Sequence, residues 1–226
     1  MILEKQRAVN INRFELPRQM ELTEDFVKGY MRLAHLYRGA MMEVSTKLEI
    51  LDDEFSVTYD HNPIHHMECR LKTAESTVNK LRRKGYDVNT QNIMEHIQDV
   101  AGVRVICSYT DDIYRLARVI EKHRDFTLLR RTDYIAEPKE NGYRSLHLVI
   151  EVPVTISEVV LRLPVEIQLR TIAMDMWASL EHELHYKSNK NVSPEATEEL
   201  RLCAQQLSDI DAKMQEISRS ISAESR

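Results

Sequence analysis

The chain's 226 residues suit one catalytic domain of roughly 100–200 residues with helical additions and exclude several independent domains. With 42% apolar and 30% charged residues it can bury a core, which excludes wholesale disorder. The net charge of −5 excludes a general affinity for nucleic acid, and apolar runs of only a few residues exclude a membrane-spanning helix.

Residues 1–22 have no clear periodicity and read as an arm or a short helix; Glu4, Lys5 and Arg7 argue against a signal peptide. Phe26, Tyr30, Leu33, Tyr37, Met41, Val44, Leu48 and Leu51 recur in steps of four and three. They predict a long helix over 24–51 with one apolar stripe. Residues 54–60 alternate and read as a strand, after which Asn62-Pro63 breaks the chain. A helix fits 74–84, ended by Gly85 after the basic turn Arg82, Arg83, Lys84, and a shorter one fits 91–98. Strands are expected at 102–109, 127–134, 143–152 and 159–170, with a helix over 111–123 opening on Asp111 and Asp112. Helices follow at 171–186 and at 194–220, the last begun by Ser193-Pro194. The pattern predicts an α+β fold, a mixed sheet with helices before, between and after it. Its divisions are an arm and amphipathic helix over 1–52, a central unit over 53–187 and a helical end over 188–226.

Four segments carry polar groups in suggestive order. On a strand, VEIQLRT turns Glu166, Gln168 and Arg170 to one face, where the carboxylate could bind a metal or take a proton; an ion-paired, solvent-facing strand is the competing reading. In KENGYRSLHL a turn at Gly142 precedes Tyr143, Ser145 and His147 on one side of a strand. An aromatic ring there can stack on a base, although for this segment alone a merely wet face fits better. QDVAGVR sets Asp99 just before a strand, as a Mg²⁺ ligand or a turn residue, with Arg104 projecting from that strand. Residues 70–84 concentrate Arg70, Lys72, Lys80, Arg82, Arg83 and Lys84. Lys72, Ser76 and Lys80 would share a helical face if the helix began that early, either a polyphosphate clamp or a solvated basic surface.

Other signals are weaker. His182-Glu183-Leu184-His185 spaces its histidines three apart, not the four of a zinc-protease helix; His61, His65 and His66 could bind a transition metal but read better as turn or surface histidines. With five glycines and no glycine-rich phosphate loop, phosphates must be held by side chains. Cys69, Cys107 and Cys203 suit reduced thiols in a cytosol.

Taken together and in order, from about Asn62 to Lys187, these segments resemble the RelA/SpoT-type (p)ppGpp synthetase domain in its small, single-domain alarmone synthetase form. RLKTAES with Lys80, DVAGVR, KENGYRSLHL, VEIQLRT and the helix AMDMWASLEHELHYK carry the resemblance. It implies a nucleotidyltransferase-like, mainly antiparallel five-stranded sheet flanked by helices. It also implies Mg²⁺-dependent transfer of pyrophosphate from ATP to the 3′-hydroxyl of GTP or GDP. By position, Asp99 and Glu166 would hold Mg²⁺, and Glu166 would also draw the proton. Arg70 and Arg104 would sandwich adenine, while Lys72, Ser76, Lys80 and Arg83 would hold ATP phosphates. Tyr143 would stack on guanine, Lys139 and His147 would contact the GTP phosphates, Arg144 would belong to the GTP site, and Gln168 and Asp175 would sit near the base. The family often has asparagine where this chain has Asp175, which bears on the choice among GTP, GDP and GMP. The resemblance further implies a cytoplasmic homotetramer assembled through helical flanks, with an allosteric nucleotide and RNA as open partners. No His-Asp dipeptide occurs, so the family's hydrolase chemistry is not expected. The competing classes are a nucleotide-binding regulator without activity and a nucleotidyltransferase that releases pyrophosphate.

Overall fold

A computed structural model describes residues 23–59, 61–188 and 193–224, so the arm over 1–22 lies outside the described residues. In chain order the elements are α1 (Glu24–Thr58), β1 (Ile64–Leu71), α2 (Ala74–Arg83), α3 (Thr90–His96), β2 (Ala101–Cys107) and α4 (Thr110–Glu121). They continue with β3 (Thr127–Asp133), β4 (Leu146–Ile156), β5 (Val159–Thr171), α5 (Ile172–Ser188) and α6 (Pro194–Glu224). Among the described residues five strands form one sheet in the order β1-β2-β5-β4-β3, antiparallel except for the β2–β5 pair. This is the mixed α+β architecture expected.

Local chemistry sets the helix ends. Thr23, Thr73 and Asn89 accept hydrogen bonds from first-turn amides of α1, α2 and α3, and Asp112 closes a capping box at the start of α4. Gly85, at φ +77°, ends α2 where an L side chain would be strained.

The apolar stripe of α1 is buried, with Tyr37, Val44 and Leu48 at 0% exposure, because the helix lies across β1, β2, β4 and β5 as part of the core. The division at residue 52 therefore falls inside α1. Two expectations fail nearby. Residues 54–58 are helical, not a strand: Phe55 continues the stripe into the core while Val57 is 88% exposed. The fifth strand is instead β1, where a register shift between Ile64 and His66 breaks the alternation that marks strands in sequence. Asn62 makes the break as expected, donating to Asp52 Oδ1 (2.6 Å) and accepting from the Ile64 amide (2.9 Å).

β4 begins at Leu146, not 143, and runs past Pro153 to Ile156. β3 ends opposite Glu151 and β2 begins opposite Glu166, so Pro153 and Pro164 sit where their strands have a neighbour on one side only, which tolerates a missing N–H. No helix among the described residues is long and apolar enough to cross a membrane.

Candidate active site

Strand alternation and register assemble the site. Val103, Val105, Ile167 and Leu169 point into the core, so Gly102, Arg104, Glu166 and Gln168 face the other way. Parallel pairing sets Gly102 beside Glu166 and Arg104 beside Gln168, and antiparallel pairing adds Arg70 beside Gly102, Glu68 beside Arg104 and His147 beside Gln168. The result is a groove of about 220 Å³ lined by Glu68, Cys69, Arg70, Lys72, Asp99, Gly102, Val103, Arg104, Glu166 and Gln168.

Asp99 stands at the entrance to β2. Lys72 reaches it from an extended segment whose amide bonds to the Val100 carbonyl (2.8 Å), ahead of the helix that starts at Ala74. Lys72 and Ser76 thus do not share a helical face. Lys72 Nζ (2.9 Å) and Lys80 Nζ (2.7 Å) nevertheless converge on Asp99 Oδ2. Burial opposes the charge of Asp99, but hydrogen bonds from Lys80 and Lys72 outweigh it and hold the carboxyl below its ordinary range. Oδ1 is buried with no hydrogen-bond partner among the described residues. A buried, ionised oxygen of this kind awaits a cation or a donor.

Glu166 is handled similarly. Burial would raise its pKa, yet His147 and Gln168 keep it below the ordinary value despite the nearby Asp99 charge. His147 Nδ1 lies 3.1 Å from Oε1, and Gln168 Nε2 donates to Oε2 at 2.8 Å. The ionised Glu166 carboxylate can only accept, so His147 Nδ1 donates to it, while Nε2 meets the Tyr143 hydroxyl (2.8 Å), which accepts from Arg170 Nη2 (2.8 Å). That assigns the histidine proton to Nδ1, directed at Glu166. Two half-buried carboxylates facing one groove fit a hard divalent cation such as Mg²⁺. No cluster of three or more His, Cys, Asp or Glu suited to a metal occurs among the described residues.

Beyond Glu166 the loop before β4 forms an aromatic corner. Lys139 Nζ sits 4.7 Å from the Tyr134 ring centroid and 4.8 Å from that of Tyr143. Asp175 Oδ1, in the first turn of α5, accepts from Arg170 Nη1 (2.9 Å) and meets Arg104 Nη1 (3.3 Å), which also bonds Glu68 Oε2 (3.1 Å).

Most residues expected at the site thus converge, and three do not. The Ser76 hydroxyl accepts from Thr73, and Arg83 is exposed at the end of α2; neither lines the groove. Arg144 turns toward α6, donating to Gln205 Oε1 (2.9 Å) and the Gly142 carbonyl (3.2 Å). There α6 packs so closely that a Cβ at Gly142, itself at φ +90°, would lie 2.7 Å from Ala204 Cβ. Sequence reasoning gave no role to Glu68, Tyr134 or Arg170. Reading 64–71 as a strand would have placed Glu68 beside Arg70 on the polar face. Of the histidines outside the site, His61 pairs with Asp112 (2.8 Å), and His65 contacts His66 (2.8 Å).

Residues 69–191 match the family model described as the region found in RelA / SpoT proteins. The chain is 46% identical over 186 residues to the GTP pyrophosphokinase YwaC of Bacillus subtilis, covering 82% of this chain and 89% of that one. Small alarmone synthetase 2 of Bacillus subtilis superposes with TM-score 0.77 at 44% identity, over 84% of this chain and 98% of that one. Small alarmone synthetase 1 of the same organism, bound to its product pppGpp, superposes with TM-score 0.80 at 36% identity, over 86% and 98% of the two chains. The chain belongs to the RelA/SpoT family, among its small alarmone synthetases.

Proposed function

We infer that this chain transfers the β,γ-pyrophosphate of ATP to the 3′-hydroxyl of GTP or GDP, giving pppGpp or ppGpp and AMP. The observation that carries the reading is the pair of ionised carboxylates, Asp99 and Glu166. Both are half-buried and share one groove between the cations of β1–α2 and the aromatic corner of β4–β5. Such transfer depends on positioning and charge neutralisation and needs no covalent intermediate.

Asp99 and Glu166 hold Mg²⁺, which when bound neutralises charge on the transferred phosphates. Lys72 and Lys80 move from Asp99 onto the ATP phosphates, with Ser76 and Arg83 further along α2. Arg70 and Arg104 flank adenine; Glu68 and Asp175 hold the Arg104 guanidinium by its edge and leave its plane for stacking. Tyr143 takes guanine, Lys139 leaves the tyrosine rings for the GTP phosphates, and His147 supports Glu166 from behind. Asp175, whose Oδ1 meets Arg170 and Arg104, accepts from the guanine base beside Gln168 through Oδ2. Glu166 takes the proton of the 3′-hydroxyl as its oxygen attacks the β-phosphorus and AMP departs. Arg144 serves this half indirectly, through α6.

The catalytic unit spans 53–187, with α1 and α6 as its supports. It works in the cytoplasm as a homotetramer. The stripe of α1 is consumed by the chain's own core, so the assembly uses the exposed stripe Ile210, Met214, Ile217 and Ile221 of α6. The test of function is incubation with ATP, GTP and Mg²⁺ and separation of products by anion exchange. AMP with a guanosine 3′-diphosphate is expected, and none with excess EDTA; free pyrophosphate with a nucleotidylated product would mean a different transferase.

A further inference from the structure

Resting on that reading, we propose that Arg170 is the positioning residue of the acceptor half. It fixes Tyr143, Asp175 and Gln168 in one arrangement before the guanine nucleotide arrives.

The guanidinium lies at the end of β5 with its side chain 6% exposed. Nη1 donates to Asp175 Oδ1 (2.9 Å), while Nη2 donates to Tyr143 Oη (2.8 Å) and Gln168 Oε1 (3.1 Å). Its Cζ stands 5.2 Å from the Tyr143 ring centroid. One rigid fork thus ties the loop before β4, the strand β5 and the first turn of α5. All three partners are side chains assigned to the acceptor, and two of them lead onward to Glu166: Gln168 directly and Tyr143 through His147.

A buried arginine can be there simply to hold the fold, but here α5 is anchored without it. The Thr171 hydroxyl accepts from the Met174 amide (3.2 Å) and donates to Asp211 of α6. Trp177 Nε1 donates to the Leu200 carbonyl (2.8 Å). What Arg170 alone supplies is the common orientation of the three side chains. Its Nε is buried with no partner among the described residues, an unmet donor retained while both Nη groups are directed at those side chains.

The arrangement separates two kinds of effect. Arg170→Lys keeps the charge but offers one compact donor group to three diverging acceptors. Dissociation of a fluorescent GDP analogue should weaken by about tenfold or more, as expected for lost charge-assisted hydrogen bonds, and KM for GTP should rise in step. KM for ATP should stay within about twofold, because Arg104 keeps Glu68 as a partner. Tyr143→Phe removes one acceptor of the fork, so its loss combined with Arg170→Lys should be less than additive. Thermal unfolding of each variant accompanies the binding measurement, and Arg170→Met serves as a second variant without donors. Unchanged GDP-analogue binding in Arg170→Lys would overturn the proposal, as would equal rises in both KM values that follow the fall in Tm, which mark a purely structural residue. Binding is read without turnover: a wild-type protein that binds the analogue but makes no alarmone defeats the reaction while leaving this inference testable. A wild type that binds no guanine nucleotide defeats both.

Discussion

The two halves of the groove hold their charges in different ways. On the donor side, Lys72 and Lys80 are long side chains gathered on one carboxylate, and Arg70 is exposed on its strand. On the acceptor side, Tyr143, His147, Glu166, Gln168 and Arg170 form a closed ring of hydrogen bonds, and Asp175 joins it through the same buried guanidinium. A triphosphate needs charge that can move with it, and lysine ammonium groups on flexible stems provide that. A purine base needs acceptors and a ring plane fixed in advance, since stacking of roughly 1–3 kcal/mol per base does not distinguish guanine from adenine. On the proposed function, the lysines beside β1 and on α2 would follow the triphosphate, and the hydrogen-bonded network of β4–β5–α5 would receive the base.

The largest expected effect falls where the halves meet. Glu166→Gln keeps shape but removes charge and basicity, so kcat should fall by about two orders of magnitude or more, with a smaller change in ATP binding. Steady-state kinetics within a few-fold of wild type would assign the base elsewhere.

Next come substitutions that split the halves. Lys80→Met should raise KM for ATP by about tenfold while KM for GTP moves within about twofold, since one charge-assisted contact is lost and Asp99 keeps Lys72. Equal rises in both constants would break the division. On the other side, Tyr143→Ala should weaken guanine-nucleotide binding without altering base preference, whereas Asp175→Ala should erode the preference for GTP over ITP by a few-fold to about tenfold. The ratio of kcat/KM for the two nucleotides decides it, and an unchanged ratio in Asp175→Ala removes the acceptor role.

The smallest effect concerns α6, which braces the acceptor loop. Burial raises the Asp211 pKa against the hydrogen bond from Thr171. A raised carboxyl favours the protonated fold, so its contribution to stability is present at low pH and lost as pH rises through the folded value. Asp211→Asn, which keeps an acceptor without the charge, should slightly raise Tm at neutral pH, with the difference from wild type shrinking as pH falls. A lower Tm at neutral pH would show that the charge itself secures α6.

Much of this arrangement is legible in sequence because it follows strand and helix periods. Alternation turned Glu166, Gln168 and Arg170 to one face, and the steps of α1 gave its buried stripe. Residue spacing alone left the roles of Asp99 and Lys72 open; the ordered family resemblance gave them candidate partners. What stayed hidden depends on irregularity or on tertiary pairing. The shift after Ile64 disguised β1, and with it Glu68 beside Arg104. Residues 54–58 were misread because a short apolar run fits period two as easily as a helix end. Arg170 was visible as a member of a polar face, but periodicity names a face and not the three groups it touches. Arg144, next to Tyr143 in sequence, turns to α6 because adjacent residues before a strand point apart.

The claim that both halves serve one pyrophosphate transfer is tested most directly by following phosphate through a single reaction with GTP and Mg²⁺. ATP carrying radioactive phosphorus at its γ-position should pass the label to the 3′-position of the guanosine product, and ATP labelled at its α-position should yield labelled AMP. Recovery of the α-label in the acceptor product, with the γ-label in free pyrophosphate, would contradict the account.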